Sequence, residues 1–203
     1  MTSSDATALT ASAKARVAAR VGTVLDGRSL AEGEGPDARR RRVAELRVGF
    51  ACAEFNGGIT ARLLAGALDA LEACGGDPKS ATVCWAPGAF ELPVVAQRLA
   101  AGGGMDAVVC LGAVIRGETG HYDFVAGECA AGIQRVQLDA GIPVAFGVLT
   151  TDTVEQALAR SEPDDENNGR EALLTVLQTA TLLDGIAPAP SGARSARKGP
   201  APC

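Results

Sequence analysis

Between Leu46 and Leu183, apolar runs of strand length alternate with segments whose apolar residues recur at helical spacing. This alternation limits the possible folds more than any other feature of the chain. Leu46 to Ala53 reads as a strand rich in Val, Phe and other apolar residues. A helix follows, with Leu63, Leu64, Ala67, Leu68 and Leu71 on one face. Thr82 to Ala86 is a short strand, a helix covers about Glu91 to Ala101, and Gly102-Gly103-Gly104 breaks the chain. Asp106 to Ile115 is almost continuously apolar, as expected of a strand buried on both faces of a parallel sheet. A helix from about His121 to Ala140 carries Val125, Cys129, Ile133 and Val136 on one side, and Pro143 to Leu149 is the fourth core strand. Asp152 with Glu155 predicts a capping-box helix start, and a last helix runs from about Gly169 to Leu183. Such alternation implies right-handed crossovers and an α/β fold, a parallel sheet of about four core strands covered by helices on both faces. Ligands in these folds bind beyond the carboxyl ends of the strands, which directs attention to the segments after Ala53, Ala86, Ala113 and Val144.

The remainder of the chain bounds what the protein can be. Of 203 residues, 47% are hydrophobic, enough to bury a core. Residues 1–45 read as an N-terminal extension rich in Ala, Ser, Gly and charge, ending in the basic run Arg39-Arg40-Arg41-Arg42, which reads as a solvated arm. The folded unit is expected over 46–186, and the Pro-, Gly- and Ala-rich stretch 187–203 reads as a disordered tail. A net charge of -5 argues against a general nucleic-acid binder. No apolar run approaches the roughly 20 residues that span a bilayer. Lys14, Arg16 and Arg20 interrupt any secretory h-region, so the expectation is a cytoplasmic protein. The basic bias of the first 25 residues, with Asp5 their one acid, bears a faint resemblance to an organelle transit peptide, ranked here behind a plain extension. The six cysteines form no Cys-x-x-Cys pair. Cys52, Cys84 and Cys110 lie in apolar runs and read as small buried hydrophobes, so no metal site is expected.

Three of the four loop segments carry residues that a core does not need. After the first strand comes Glu54-Phe55-Asn56-Gly57-Gly58, and after the second Pro87-Gly88-Ala89-Phe90-Glu91-Leu92-Pro93. Taken singly, these read as a packed loop aromatic and a turn leading into a helix with an acidic first turn. After the third comes Arg116-Gly117-Glu118-Thr119-Gly120-His121-Tyr122-Asp123, which contains the chain's single histidine. A lone histidine is more often incidental than catalytic, but this one falls at a predicted helix start, where backbone N–H groups and the macrodipole favour an anion. With a reference pKa of about 6.5, an imidazole there can carry protons beside that anion. Glu118 and Thr119 would present backbone N–H groups to it, and Asp123 reads as a dipole-favouring acid more than as a partner of the imidazole. Walker-type, dinucleotide-binding and nucleophile-elbow glycine motifs are absent. Pattern alone therefore yields an anion-binding α/β protein with one histidine.

The strings Pro87-Gly-Ala-Phe-Glu-Leu-Pro93, Leu111-Gly-Ala-Val-Ile-Arg-Gly-Glu-Thr-Gly-His-Tyr-Asp-Phe124 and Phe146-Gly-Val-Leu-Thr-Thr-Asp152 closely resemble the lumazine synthase family, in order and spacing, from about Leu46 to Leu183. The resemblance implies a flavodoxin-like three-layer sandwich assembled as pentamers, paired pentamers or icosahedral shells, with active sites between neighbouring subunits. It implies a cofactor-free transferase of riboflavin biosynthesis. That enzyme condenses 5-amino-6-(D-ribitylamino)uracil with 3,4-dihydroxy-2-butanone 4-phosphate to give 6,7-dimethyl-8-ribityllumazine, with riboflavin synthase a candidate partner. Carried over, Phe55 would stack on the pyrimidinedione. Ala89, Phe90 and Glu91 would hold the ribityl chain and ring edge. Backbone at Ala113, Val114 and Ile115 would bind the pyrimidine amide edge. Glu118, Thr119 and Arg160 would hold the phosphate, His121 would transfer protons, and Phe146 would reach into the adjacent subunit's site.

The chain departs from the family pattern at Glu54, where an arginine is common, and at Asn168, where a Gly-Asn-Lys-Gly turn places a lysine. The stretch Glu162-Pro163-Asp164-Asp165 is unusually acidic and would repel a phosphate brought close to it. These departures motivate an alternative, a lumazine- or flavin-binding or shell-forming homologue of weak activity. A riboflavin synthase of the related archaeal type is a more distant third reading.

Overall fold

A computed structural model describes residues 43–186. Both tails, the basic run Arg39–Arg42 and Cys203 lie outside the described residues. The elements are β1 (Val48–Ala53), α1 (Gly57–Ala73), β2 (Thr82–Ala86), α2 (Leu92–Ala100), β3 (Ala107–Ile115), α3 (His121–Ala140), β4 (Val144–Thr151), α4 (Val154–Ala159) and α5 (Asn168–Gly185). The packed chain reaches back to Val43, which is buried against the core.

The four strands form one all-parallel sheet in the order β2-β1-β3-β4. The burial of each strand follows from its place. β1 is buried at every position and β3 at all but its last, because each has a strand on both sides and helices on both faces. The edge strands alternate more. β2 leaves Val83 and Trp85 exposed, and β4 leaves Phe146 exposed. Side chains alternate across β3, so Val109, Leu111 and Ala113 join one core layer while Val108, Cys110 and Val114 join the other. The first layer is closed by α1 and α5 through Leu63, Ala67, Leu71, Leu173 and Val176. The second is closed by α2 and α3 through Leu92, Ala96, Cys129 and Ile133. This is the expected flavodoxin-like three-layer sandwich.

Several boundaries move from their sequence positions. β1 begins at Val48 because Arg47 is occupied elsewhere: its backbone N–H and guanidinium both donate to Asp106. β4 runs on to Thr151, since its pairing with β3 continues to Ile115↔Thr151. The α4 cap is Thr153 and not Asp152. Thr153 Oγ1 accepts from Gln156 N–H at 3.2 Å, while Asp152 is held by Arg116. Asn167 caps α5, its side-chain oxygen accepting from Gly169 and Arg170 N–H. Close approach of α2 to α3 requires Gly132, where a Cβ would lie 2.7 Å from the Pro93 ring. That contact seats the start of α2, and the residues before it, beside α3.

Among the cysteines, Cys52, Cys110 and Cys129 are buried, whereas Cys84 is only half-buried because β2 is an edge strand. Burial pushes the Cys52 and Cys129 thiols up to about 12 and raises Cys110 as well. These are packing groups.

Candidate functional site

The strand order places a crossover reversal between β1 and β3: the chain leaves β1 for β2 on one side and returns to β3 on the other. At such a point the loops diverge and leave a crevice beyond the carboxyl ends of the strands. A cavity of about 760 Å³ lies there. Its wall comprises Phe55, Pro87 to Glu91, Ala113 to Ile115, Gly117, Thr119, and His121, Tyr122, Phe124 and Val125 at the start of α3.

Each wall segment is fixed by identifiable contacts. The loop after β1 is tied to the loop after β2 by Glu54 N–H donating to Ala86 O at 2.8 Å and Phe55 N–H donating to Pro87 O at 3.1 Å. Asn56 turns the chain with a left-handed φ of 58°, a conformation asparagine tolerates, and its Nδ2 donates to Ala113 O at 2.9 Å. The Phe55 loop is thereby pinned to the end of β3. That end projects beyond its neighbour. The β1–β3 pairing stops at Cys52↔Leu111, whereas β3–β4 pairing reaches Ile115, so the Phe55-facing side of Ala113–Ile115 has no paired strand. Glu91 is half-buried and holds its carboxylate over Gly88, where a Cβ would meet Oε2 at 3.2 Å.

His121 is the first residue of α3, a helix of 20 residues, and is exposed on the cavity side. Its backbone N–H donates to Thr119 Oγ1 at 3.4 Å, and Gly120 at the N-cap supplies no side chain to cover the helix start. An uncovered helix N-terminus next to an imidazole suits an anion that gains or loses protons. Asp123 turns to Arg116 at 3.3 Å, in keeping with its reading as a first-turn acid.

Exposure of aromatic side chains is the other distinguishing property of the site. Of five phenylalanines only Phe50 is buried; Phe55 (72% exposed), Phe90 (57%) and Phe124 (70%) rim the cavity, and Phe146 (42%) stands elsewhere. Apolar rings clustered at a cavity mouth mark a surface that a ligand or a partner covers.

Nine of the twelve expected site residues line this single cavity: Phe55, Ala89, Phe90, Glu91, Ala113, Val114, Ile115, Thr119 and His121. Three do not. Glu118 is exposed in the adjoining turn. Phe146 lines a separate groove between β4 and α5 that also includes Asn168 and Glu171. Arg160, exposed at the C-cap of α4, folds back so that Nη1 donates to Gln156 O at 3.0 Å. The acidic stretch after Arg160 is partly neutralised within the chain. Glu162 pairs with Arg62 at 2.6 Å and Asp165 with Arg170 at 3.2 Å, and none of it reaches the cavity wall. The expected repulsion of a phosphate is therefore absent within this chain's own cavity. Sequence reasoning missed Asn56, Tyr122 and Phe124. An asparagine followed by two glycines signals a turn, but not that its amide would reach a strand 57 positions away.

Among the described residues no three His, Cys, Asp or Glu side chains are grouped to hold a metal ion, and no helix is long and apolar enough to cross a membrane. The profile of the 6,7-dimethyl-8-ribityllumazine synthase family matches residues 45–184. A 6,7-dimethyl-8-ribityllumazine synthase from Protochlamydia amoebophila (strain UWE25) is 47% identical over 144 residues, covering 71% of this chain and 84% of the relative. With the cavity at the sheet reversal and its wall assembled from the matching motifs, the chain belongs to the 6,7-dimethyl-8-ribityllumazine synthase family.

Proposed function

We propose that the cavity ending at His121 is where 5-amino-6-(D-ribitylamino)uracil and 3,4-dihydroxy-2-butanone 4-phosphate are condensed to 6,7-dimethyl-8-ribityllumazine, a step of riboflavin biosynthesis. The observation that carries this reading is the convergence of Phe55, Phe90, Glu91, the projecting end of β3 and His121 on one volume of about 760 Å³, a size suited to two small substrates. The exposed Phe55 ring stacks on the flat pyrimidine. Its amide edge meets the backbone of Ala113, Val114 and Ile115 beyond the last β1–β3 pair, where the Ala113 carbonyl already accepts from Asn56, and the ribityl hydroxyls meet Ala89, Phe90 and the Glu91 carboxylate. The butanone phosphate lies at the helix start, held by Glu118 and Thr119.

The chemistry needs little from the protein. The pyrimidine's amine adds to the ketone and expels water as an imine forms. Proton loss from the hydroxyl-bearing carbon expels phosphate and leaves an enol, which takes up a proton to become a new ketone; attack of the ribitylamino nitrogen on that ketone closes the ring with loss of a second water. The substrates carry the reactive groups, so the site contributes proximity and proton movement. His121 takes and returns protons beside the departing phosphate.

The active unit in this proposal is a ring of subunits, a pentamer or a multiple of pentamers, in the cytoplasm. Phe146 and Arg160 lie outside their own chain's cavity, and the β2 and β4 edges expose Trp85 and Phe146 respectively. A head-to-tail contact between unlike edges closes into a ring when its rotation permits. It would bring Arg160, whose guanidinium can fork onto phosphate, and Phe146 to the neighbour's cavity. Incubation of the purified protein with both substrates, followed by lumazine fluorescence, tests the function. Product formation is expected, and binding without product at any protein concentration would overturn it in favour of a non-catalytic homologue.

A further inference from the structure

The turn that carries Gly117 and Thr119 into the cavity is held at both ends by one side chain. Arg116 directly follows β3, and its own side chain is not part of the cavity wall. Its backbone N–H donates to Thr151 O at 2.9 Å, extending the β3–β4 ladder by one bond. Its guanidinium then spreads over three groups. Nε donates to Asp152 Oδ1 at 2.8 Å, just after β4. Nη1 approaches Asp123 Oδ1 at 3.3 Å, in the first turn of α3. The guanidinium carbon stands 4.0 Å from the centre of the Tyr122 ring, also in that turn. The segment 117–120 is thus a short bridge whose two anchorages, the strand ends and the start of α3, are clamped together from behind. Gly120 at the N-cap of α3 supplies no side-chain bond, and Thr119 Oγ1 meets the His121 N–H at a long 3.4 Å, so the clamp adds to a weak cap in fixing where the helix begins.

We propose that Arg116 is a positioning residue for the phosphate-binding turn, acting through Asp152 and Asp123 and not by touching the phosphate. The inference rests on the functional reading above. Two carboxylates already engage the guanidinium, and both raise its proton affinity, Asp152 foremost. Its charge is spent on them, so it adds little net positive field at the cavity, while its planar fork fixes the spacing between β4 and α3. An anion held by backbone N–H groups is sensitive to that spacing, since misplacement by about 1 Å can weaken a positioned contact severely. A lysine, lacking the fork, cannot hold both carboxylates and the ring in one geometry.

The two possible roles differ in the sign of one effect. If Arg116 were a direct phosphate ligand, Asp152→Asn would remove a competing negative charge and tighten phosphate binding. If Arg116 is a brace, the same isosteric change loosens the turn and weakens it. The experiment measures KM for each substrate, kcat, and inhibition by inorganic phosphate in the full-length assembled enzyme, for wild type, Arg116→Ala, Arg116→Lys, Asp152→Asn and the Arg116→Ala/Asp152→Asn double variant. Asp152→Asn should raise KM for the butanone phosphate by about threefold and Arg116→Ala by about tenfold, with the pyrimidine KM within about twofold of wild type. The inorganic phosphate inhibition constant should move with the first and not with the second. Arg116→Lys should restore less than half of the loss, and the double variant should be no worse than Arg116→Ala alone, since both changes cut one linkage. An unchanged or lowered butanone phosphate KM in Asp152→Asn would overturn the brace, as would equal rises for both substrates. Should Arg116→Ala fail to fold, Asp152→Asn still decides by its sign. A wild-type enzyme that makes no lumazine would instead overturn the functional reading beneath it.

Discussion

The proposed sharing of a site between neighbours makes a quantitative prediction about mixed assemblies. His121 stands in the cavity wall, whereas Arg160 stands outside its own chain's cavity at the end of α4. Under the proposed function, His121→Ala would remove proton transfer and should slow turnover about a hundredfold, the low end for such a group because the substrates bring the reactivity. Assembly should be unaffected, since His121 is an exposed side chain. Under the proposed function, Arg160→Ala would remove a charge-assisted contact of about 2 kcal/mol, roughly a thirtyfold rise in KM for the phosphate substrate and little change for the pyrimidine. Now let the two variants be unfolded together in equal amounts and reassembled at random. A whole site needs an intact His121 from one chain and an intact Arg160 from the next. Each condition is met by half the chains, so about a quarter of the sites are complete, whatever the ring size. At low butanone phosphate the mixture should therefore recover about a quarter of wild-type activity, against a few per cent for either variant alone. Lumazine fluorescence reads the rate, and light scattering confirms that the mixture has wild-type size. A mixture no more active than the mean of the two separate variants would refute the shared site and return Arg160 to a surface role.

Three further expectations concern the framework. Gly169 opens α5 against α1, and a Cβ there would lie 1.9 Å from Leu63 O, a backbone atom that cannot swing aside. Gly169→Ala should cost about 3 kcal/mol, seen as a lower urea midpoint at fixed protein concentration, and an unchanged midpoint would mean that the two helices can separate freely. The Asp106 carboxyl is held below the ordinary carboxylate range, chiefly by the hydrogen bond from Arg47, so it contributes stability above its unfolded pKa that is lost as pH falls through its lower folded value. Because the pair is largely solvated, Asp106→Asn should flatten the acid limb of stability against pH below about pH 4 by less than about 1 kcal/mol; an acid limb as steep as in wild type would show that the pair is not linked to folding. In the native protein Cys52, Cys110 and Cys129 should resist alkylation at mildly alkaline pH while Cys74 reacts, as mass-mapped labelling can establish; labelling of Cys110 before denaturation would contradict its burial.

Much of the architecture was legible in the chain because it depends on local pattern. The unbroken apolar run ending at Ile115 announced a strand buried on both faces, and β3 occupies it to within one residue. Helix α3 starts and stops where expected, at His121 and before Gly141, whose positive φ of 68° ends it. The four-strand parallel sheet followed from strand–helix alternation, and the family from several motifs agreeing in register. Capping was less legible. The pattern Asp152 with Glu155 satisfied the rule for a helix start, but Asp152 is claimed by Arg116 and the neighbouring Thr153 takes the cap.

Tertiary structure decided what depends on distant partners. Nothing local in β1 or β2 says which lies inside and which at an edge; the crossovers set the order β2-β1-β3-β4, and only then do Trp85 and Phe146 become exposed edge residues. The projection of β3 past β1, the reach of Asn56 to Ala113, and the choice of Asp152 and Asp123 by Arg116 are likewise products of chain segments meeting in space. Periodicity records which face of an element is apolar, since that is a property of neighbouring residues. Which partner a polar side chain finds is fixed only when the sheet closes and brings the loops at its carboxyl edge together.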